Sequence, residues 1–328
     1  MSITIVNDAT CYDPWQNLAT EECLLAACGP DDLLLFLWQN ANTVVIGRHQ
    51  NPWQECRHEL LAQEGGKLAR RITGGGAVYH DLGNLNFSFI AGKDRYCLED
   101  NLAVVLAAVR SLGVEAAFSG RNDILAEGRK FSGNAFAHRA NASLHHGTLL
   151  VSADMERLSR YLQVPPQKMV SKGIQSVTSR VVNLSALQPA ITVDGLRQAL
   201  CQAFLKAHNT AVTCPAAELV DAELLRNAHE RQQSWEWRFG QTPRFDVTLT
   251  TRFPWGGVDL LLNARDGRVT QVQCFSDAMD EGFIAELPAL FTGLPYSLAA
   301  LAQALRRAYP ARQEAADLAA WLDAQEAL

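Results

Sequence analysis

The sequence lacks the features that would set it apart from ordinary globular proteins. It has no CxxC pair: Cys11, Cys23, Cys28, Cys56, Cys97, Cys201, Cys214 and Cys274 lie scattered, and no signal peptide precedes the first. Reduced thiols in a cytoplasmic protein are the simplest expectation. It has no long hydrophobic run, since the longest strongly apolar stretch, Leu33–Trp38, is far short of a membrane span. It has no excess of positive charge, because 29 basic against 35 acidic residues leave a net charge of −6 and no general attraction to nucleic acid or anionic lipid. Repeats and low-complexity segments are also missing. What remains is a folding composition, 48% hydrophobic and 20% charged, in 328 residues, enough for about two domains and a large core.

Residues 70–81 read RRITGGGAVYHD. Three successive glycines forfeit packing and cost backbone entropy, so Gly74, Gly75 and Gly76 point to a chain that something approaches closely. Arg70 and Arg71 supply fixed charge on forked donors that suit phosphate or carboxylate. An anion site is one reading; a glycine-rich turn with two solvated arginines is the other. The segment is neither a Walker A loop, for want of Gly-Lys-Ser/Thr, nor a dinucleotide fingerprint, because Tyr79 stands where the third glycine belongs.

Patterning predicts a strand over 2–6, then a helix with Asp13 as N-cap and Pro14 at its first position, ending near Cys28. Its stripe carries Trp15, Leu18 and Leu25 but also Glu22, which reads either as a paired structural acid or as part of a pocket wall. Residues 33–38 and 43–46 read as a strand pair, and 53–63 as a helix. The glycine loop joins strands, 84–90 alternates as another, and 102–112 is helical. A turn at 126–129 closes a hairpin that sets Asn122 and Asp123 across from Ser132 and Gly133. On the strand over 144–151, His145 and His146 face opposite ways, which argues against a two-histidine metal site. Helices are expected at 155–162 and 193–207, a turn cluster at 239–243, a hairpin over 258–275 and helices beyond 285. Strands and helices interleave without a strict βαβ rhythm, which predicts α+β.

Further segments are polar or glycine-rich where packing would not ask for it: IGRHQNPW from Ile46, SGRND from Ser119, GRKFSGNAF from Gly128 and HHGTLL from His145. Together with YDPWQNLATEEC from Tyr12, LARRITGGGAVYHDLGN from Leu68, SRVVNL from Ser179 and the late SWEWRFG and FPWGGV, this ordered set resembles the lipoate protein ligase A family over nearly the whole chain. The resemblance implies a biotin/lipoate ligase-like catalytic domain over 1–242, with a mixed β-sheet flanked by helices. A linker at 243–246 and a small α+β accessory, lid-like domain over 247–328 would follow. It implies a ligase that joins lipoate and ATP into lipoyl-AMP, releasing pyrophosphate, and then transfers the lipoyl group to a lysine of an acceptor lipoyl domain. Implied acceptors are 2-oxoacid dehydrogenase E2 subunits and glycine cleavage H protein, with no nucleic-acid or membrane partner.

Lys130 is the implied catalytic residue, its ammonium bridging the lipoate carboxyl group and the α-phosphate as pyrophosphate leaves. For ATP the resemblance implies Arg71, Gly75, Gly76, Ala77, Val78, Tyr79, Lys130 and Asp123. For lipoate it implies Lys130, Arg71, Trp38, His80, Asn122 and Leu18. Asp123 reads either as a Mg²⁺ or ribose contact or as a turn residue bonded to its own backbone. The alternative function is an ATP-independent octanoyl or lipoyl transferase of the same fold, whose thioester route needs a placed cysteine that the motifs do not show. A non-catalytic lipoate or biotin sensor would carry a helix-turn-helix ahead of the core, where motifs beginning at Tyr12 leave no room.

Overall fold

A computed structural model describes residues 3–6, 11–120, 122–163, 181–209, 211–239, 247–265 and 267–325. The expected linker at 243–246, most of the turn cluster at 239–243 and the first two residues of SRVVNL lie outside them. The chain divides into two units. The first holds Met1–Ile46, Pro52–Thr73 and Ala77–Gly240, and the second holds Gly47–Asn51, Gly74–Gly76 and Gln241–Leu328.

The strands of the first unit are β1 (Ile3–Val6), β2 (Leu33–Trp38), β3 (Thr43–Ile46), β4 (Lys67–Arg70), β5 (Val78–His80), β6 (Asn84–Gly92), β7 (Ala117–Phe118), β8 (Asp123–Ala126), β9 (Arg129–His138), β10 (Ala142–Leu150) and β11 (Val212–Cys214). Eight of them make a mixed sheet in the order β11-β1-β2-β6-β10-β9-β8-β7, and β4-β3-β5 make a smaller one. The large sheet is parallel only around β1. This is the expected α+β class.

Two local expectations fail for visible reasons. Strands β2 and β3 do not pair; β2 lies between β1 and β6, whereas β3 takes β4 and β5. Their connection is not a free hairpin turn, because Asn17 on the Pro14–Ala27 helix donates to the Gln39 carbonyl at 2.8 Å and to Asn40 Oδ1 at 3.0 Å. The helix expected over 53–63 is two short ones, Pro52–Glu55 and His58–Gln63. Between them the backbone is drawn away: Cys56 bridges to Leu162, and Arg57 N–H donates to the Tyr161 carbonyl.

Alternation along β6 gives the large sheet two unlike faces. Leu85, Phe87, Phe89 and Ala91 share a buried core with Leu102, Val105 and Val109 of the Leu98–Ser111 helix and Leu196, Leu200 and Phe204 of the Val193–His208 helix. Each such side chain, fully buried, stabilises by about 1.5–3 kcal/mol. The opposite set on β6 is Asn84, Asn86 and Ser88, all buried yet polar, before Ile90 restores an apolar contact. In β10, His146 stands beside Ser88 and Thr148 beside Asn86, so the polar character continues across the ladder.

The Pro14–Ala27 helix serves this second face. It starts as expected, with Asp13 accepting from Trp15 N–H at 2.9 Å, a cap worth about 1 kcal/mol. Leu18, Leu24 and Leu25 join an apolar cluster with Trp38 and Ile90, while Glu21 lies buried at 1% exposure.

In the second unit, β12 (Val247–Phe253), β13 (Gly256–Arg265) and β14 (Arg268–Ser276) form an antiparallel meander, one strand more than the expected hairpin. Helices Glu281–Phe291, Leu298–Ala308 and Gln313–Ala324 close its core around Leu260, Phe283, Leu301 and Leu318. Within this unit Gly75, at φ +89°, donates its N–H to the Ala278 carbonyl at 3.1 Å. A Cβ on Gly74 would lie 2.3 Å from that same oxygen, so the close approach implied by the glycine run is made by the protein's own backbone there. Among the described residues no helix is long and apolar enough to cross a membrane.

Candidate functional site

The hairpin expected around 126–129 forms. Glu127 at φ +51° and Gly128 at φ +74° supply the two positive values that a tight two-residue turn requires. Asp123 then falls opposite Gly133, and the Lys130 ammonium lies 2.7 Å from Asp123 Oδ1, each side chain about one-third exposed. A Cβ on Gly133 would sit 2.8 Å from Lys130 Nζ and 3.8 Å from Thr148 Oγ1. The missing side chain at 133 is therefore the space in which the ammonium rests. Because Thr148 and His146 share a face of β10, Lys130 stands over the polar face of the sheet.

A buried chain of hydrogen bonds crosses that face. Arg71 Nε donates to Thr73 Oγ1 at 3.0 Å, and Thr73 Oγ1 lies 2.8 Å from His146 Nε2. His146 Nδ1 is 2.8 Å from Glu21 Oε1 and 3.0 Å from Oε2. Ser88 donates to the same carboxylate, and Trp38 Nε1 donates to Ser88 Oγ at 2.9 Å. One arrangement uses every donor: His146 Nδ1–H to Glu21, and Thr73 O–H to His146 Nε2. Burial lowers the Arg71 pKa to about 10, opposed by the charge of Glu21.

His80 joins this site from β5, its ring edge-on to Trp38 at 6.1 Å. Asn40 Oδ1 already accepts from Asn17, so its amide nitrogen donates to His80 Nδ1 at 3.1 Å. The His80 proton thus belongs on Nε2, a buried donor without a partner among the described residues. Burial first, then the charge of Arg71, pushes the His80 pKa down to about 3, so the ring stays neutral. Asn84 Oδ1 and Asn86 Nδ2 are likewise buried and unpartnered. Buried polar atoms left unpaired cost stability and call for an explanation, and a bound polar ligand is one.

The structure distributes the other expected residues unevenly. Trp38 and Leu18 are buried in the apolar cluster beside the network, with Val78 packed against it. Tyr79 turns its side chain into a separate core, its hydroxyl on Asn42 Oδ1 at 3.1 Å. Strand β5 is the edge of its sheet, with β3 on one side. Ala77 adjoins it, whereas Gly75 and Gly76 belong to the second unit. The Asn122 carbonyl accepts from Asn134 twice, from its backbone N–H at 2.8 Å and its side-chain amide at 3.0 Å.

Arg70 is not a solvated anion receptor: Nε and Nη2 donate to the carbonyls of Trp237 and Arg238 at 2.8 and 2.7 Å, and Trp237 Nε1 returns a bond to the Arg70 carbonyl. Glu22 proves to be a paired structural acid, bound to Arg231 and 3.5 Å from Gln232 Nε2. The carboxylate of the buried network is its neighbour Glu21, which together with Thr73 and Ser88 escaped the sequence reading. A stripe argument places 21 and 22 on adjoining rows and cannot say which one meets a histidine from a distant strand.

No disulfide forms among the cysteines, and burial raises the thiol pKa of Cys28 to about 11 and of Cys56 and Cys274 to about 12. Such thiols are poor nucleophiles. No cluster of three or more potential metal ligands occurs among the described residues. A single carboxylate, Asp123, nevertheless fits a hard cation that arrives on phosphates and keeps most of its waters.

Comparison with known proteins gives the family. The family Lipoyl protein ligase A/B catalytic domain matches residues 13–205, and Bacterial lipoate protein ligase C-terminus matches residues 242–322. P. falciparum LipL1, solved in complex with lipoate, is 26% identical with a TM-score of 0.81, the match covering 98% of each chain. A bipartite lipoate protein ligase from Thermoplasma acidophilum, solved as part of a lipoylation system with its E2 lipoyl domain, is 29% identical with a TM-score of 0.64, over 75% of this chain and 99% of that one. A lipoate-protein ligase A bound with ATP is 28% identical with a TM-score of 0.63, over 73% and 99%. With a catalytic-domain match over more than half its length, a C-terminal match beyond it and one polar sheet face beneath a lysine, the chain belongs to the lipoate-protein ligase family.

Proposed function

We propose that this protein activates free lipoate with ATP and transfers the lipoyl group to lipoyl domains. The observation that carries the reading is the polar face itself: a lysine over a bare glycine, with buried unpaired donors and acceptors beside it. In the first step a lipoate carboxylate oxygen attacks the α-phosphorus, a new O–P bond forms, and the bond to the β-phosphate oxygen breaks with its electrons leaving on pyrophosphate. Both reactants are anions, so positioning and cations carry the catalysis. Lys130 exchanges its hold on Asp123 for the carboxylate and α-phosphate, with Arg71 adding charge from below. Mg²⁺ carried on the triphosphate and held by Asp123 would neutralise phosphate charge.

The outer edge of β5, with Ala77, Val78 and Tyr79, offers backbone groups to the nucleotide, whereas the Gly75 N–H is already held by the Ala278 carbonyl. The acyl chain lies along Leu18, Trp38 and His80, with Asn122 at the hairpin end. In the second step the acceptor lysine amine attacks the acyl carbon, an amide bond forms, AMP leaves with the bonding electrons, and the amine proton passes to solvent. No enzyme nucleophile is needed, in keeping with the buried thiols. E2 subunits of 2-oxoacid dehydrogenases and the glycine cleavage H protein are the proposed acceptors, in a cytoplasmic setting. Residues 247–328 act as a lid that keeps water from the adenylate, with 243–246 as the hinge.

The test is labelling of an apo lipoyl domain by free lipoate with and without ATP. Labelling that needs ATP supports the ligase; no labelling from free lipoate with ATP, together with ATP-independent labelling from an acyl carrier protein loaded with octanoate or lipoate, overturns it in favour of the transferase. Truncation at 245 is expected to impair adenylate formation, and a truncated chain that activates lipoate normally removes the lid.

A further inference from the structure

The two histidines of HHGT serve opposite faces of the sheet, and only His146 belongs to the polar one. His145 is fully buried on the other side, yet its Nε2 lies 2.9 Å from Asn134 Oδ1. Asn134 is 4% exposed and sits on β9, four residues beyond Lys130. Its amide nitrogen donates to the Asn122 carbonyl, so its oxygen must accept, and His145 must carry its proton on Nε2. His145 Nδ1 is then a bare acceptor, buried without a partner among the described residues. Burial holds the His145 pKa down to about 3, in line with a permanently neutral donor.

The ring cannot swing away. Phe136, Phe87 and Phe89 enclose it at centroid distances of 4.9, 5.3 and 5.9 Å. A Cβ on Gly147 would lie 2.5 Å from Phe87 and 2.9 Å from Asn134 Oδ1, so the glycine of HHGT leaves room for this contact. Asn122, gripped twice by Asn134, immediately precedes Asp123, the carboxylate that meets Lys130 at 2.7 Å.

We infer that His145 and Asn134 are positioning residues, which fix the Asn122–Asp123 corner and through it the resting place of the Lys130 ammonium. The chain runs from a phenylalanine cage through a neutral imidazole and an oriented amide to a backbone carbonyl. It acts from the side of the sheet that the substrates do not touch, and it rests on the role proposed above for Lys130. The grip on Asn122 also accounts for a requirement the ion pair alone leaves open: a carboxylate at a hairpin mouth otherwise samples many positions, and displacement of a catalytic group by about 1 Å costs up to about 100-fold in rate.

The experiment compares His145→Leu, which fills the cage but donates nothing, with His145→Gln, whose amide can still donate, and with Asn134→Leu. Lipoate-dependent ATP–pyrophosphate exchange is expected to lose about 10- to 100-fold in kcat in both Leu variants, with KM for ATP little changed. The double Leu variant is expected to be no worse than the single ones, because both break the same chain. His145→Gln should recover most of the rate. Competitive acylation of Lys130, read by mass spectrometry without substrate, should rise several-fold in the Leu variants as the ammonium leaves its carboxylate. That readout is independent of turnover. If the wild type exchanges no pyrophosphate but the labelling still changes, the catalytic reading fails and the positioning stands. Unchanged labelling and unchanged kcat in folded His145→Leu would overturn the positioning role.

Discussion

The two faces of the large sheet are built from the same strands and differ in every second residue. On one, Leu85, Phe87 and Phe89 meet two long helices and form a dry core. On the other, Asn84, Asn86, Ser88 and His146 are equally buried, but Ser88 and His146 bond to Glu21, Trp38 and Thr73, Asn84 donates to Asn86, and Asn84 Oδ1 and Asn86 Nδ2 have no partner among the described residues. Burial alone therefore does not distinguish the two faces; the concentration of buried hydrogen-bonding groups on one of them does. A sheet face that keeps asparagines buried gives up apolar stabilisation, and a polar guest is the compensation we propose.

The sharpest break in the comparison comes from Lys130→Ala. Loss of its cation should slow adenylate formation by about 100- to 1000-fold. An ion pair about one-third exposed contributes at most about 1 kcal/mol, so thermal unfolding should barely shift. On the apolar face the pattern inverts: Leu200→Ala should cost about 2–5 kcal/mol in a denaturant titration while leaving kcat unaltered in the folded fraction. Gly133→Ala tests the space beneath the ammonium, and with its Cβ 2.8 Å from Nζ it should cost about tenfold in exchange rate without unfolding the hairpin.

A further effect is on acid stability. His80 and His145 stay neutral down to about pH 3 in the folded chain but take up protons below 6.5 once unfolded. The unfolded state then binds more protons, so stability falls as pH drops from 6.5 towards 3, by up to about 1.4 kcal/mol per unit for each histidine. Denaturant titrations at pH 7 and 5 should show a shallower loss in His145→Gln than in the wild type; equal slopes would mean that His145 is not the source.

Much of this was legible beforehand because it is local. The Asp13-Pro14 helix start, the alternation of β6, the 126–129 turn and the opposite orientation of His145 and His146 depend on spacing and turn chemistry alone. The strand pairing of 33–38 was misread because its true partners are β1 and β6, fixed by contacts far apart in sequence. Arg70 looked like a free cation because the carbonyls that occupy it come from residues 237 and 238. Glu21 was hidden for the same reason, since its partners lie on β6 and β10. Phe136, which offered no chemical signal in the sequence, packs against His145.

A crystal structure with a non-hydrolysable lipoyl adenylate measures the central claim directly. The account predicts the phosphate oxygen within hydrogen-bond distance of Lys130 Nζ and the acyl chain over the face that carries Ser88 and His146. An adenylate bound with none of its atoms near Lys130 or that face would contradict it.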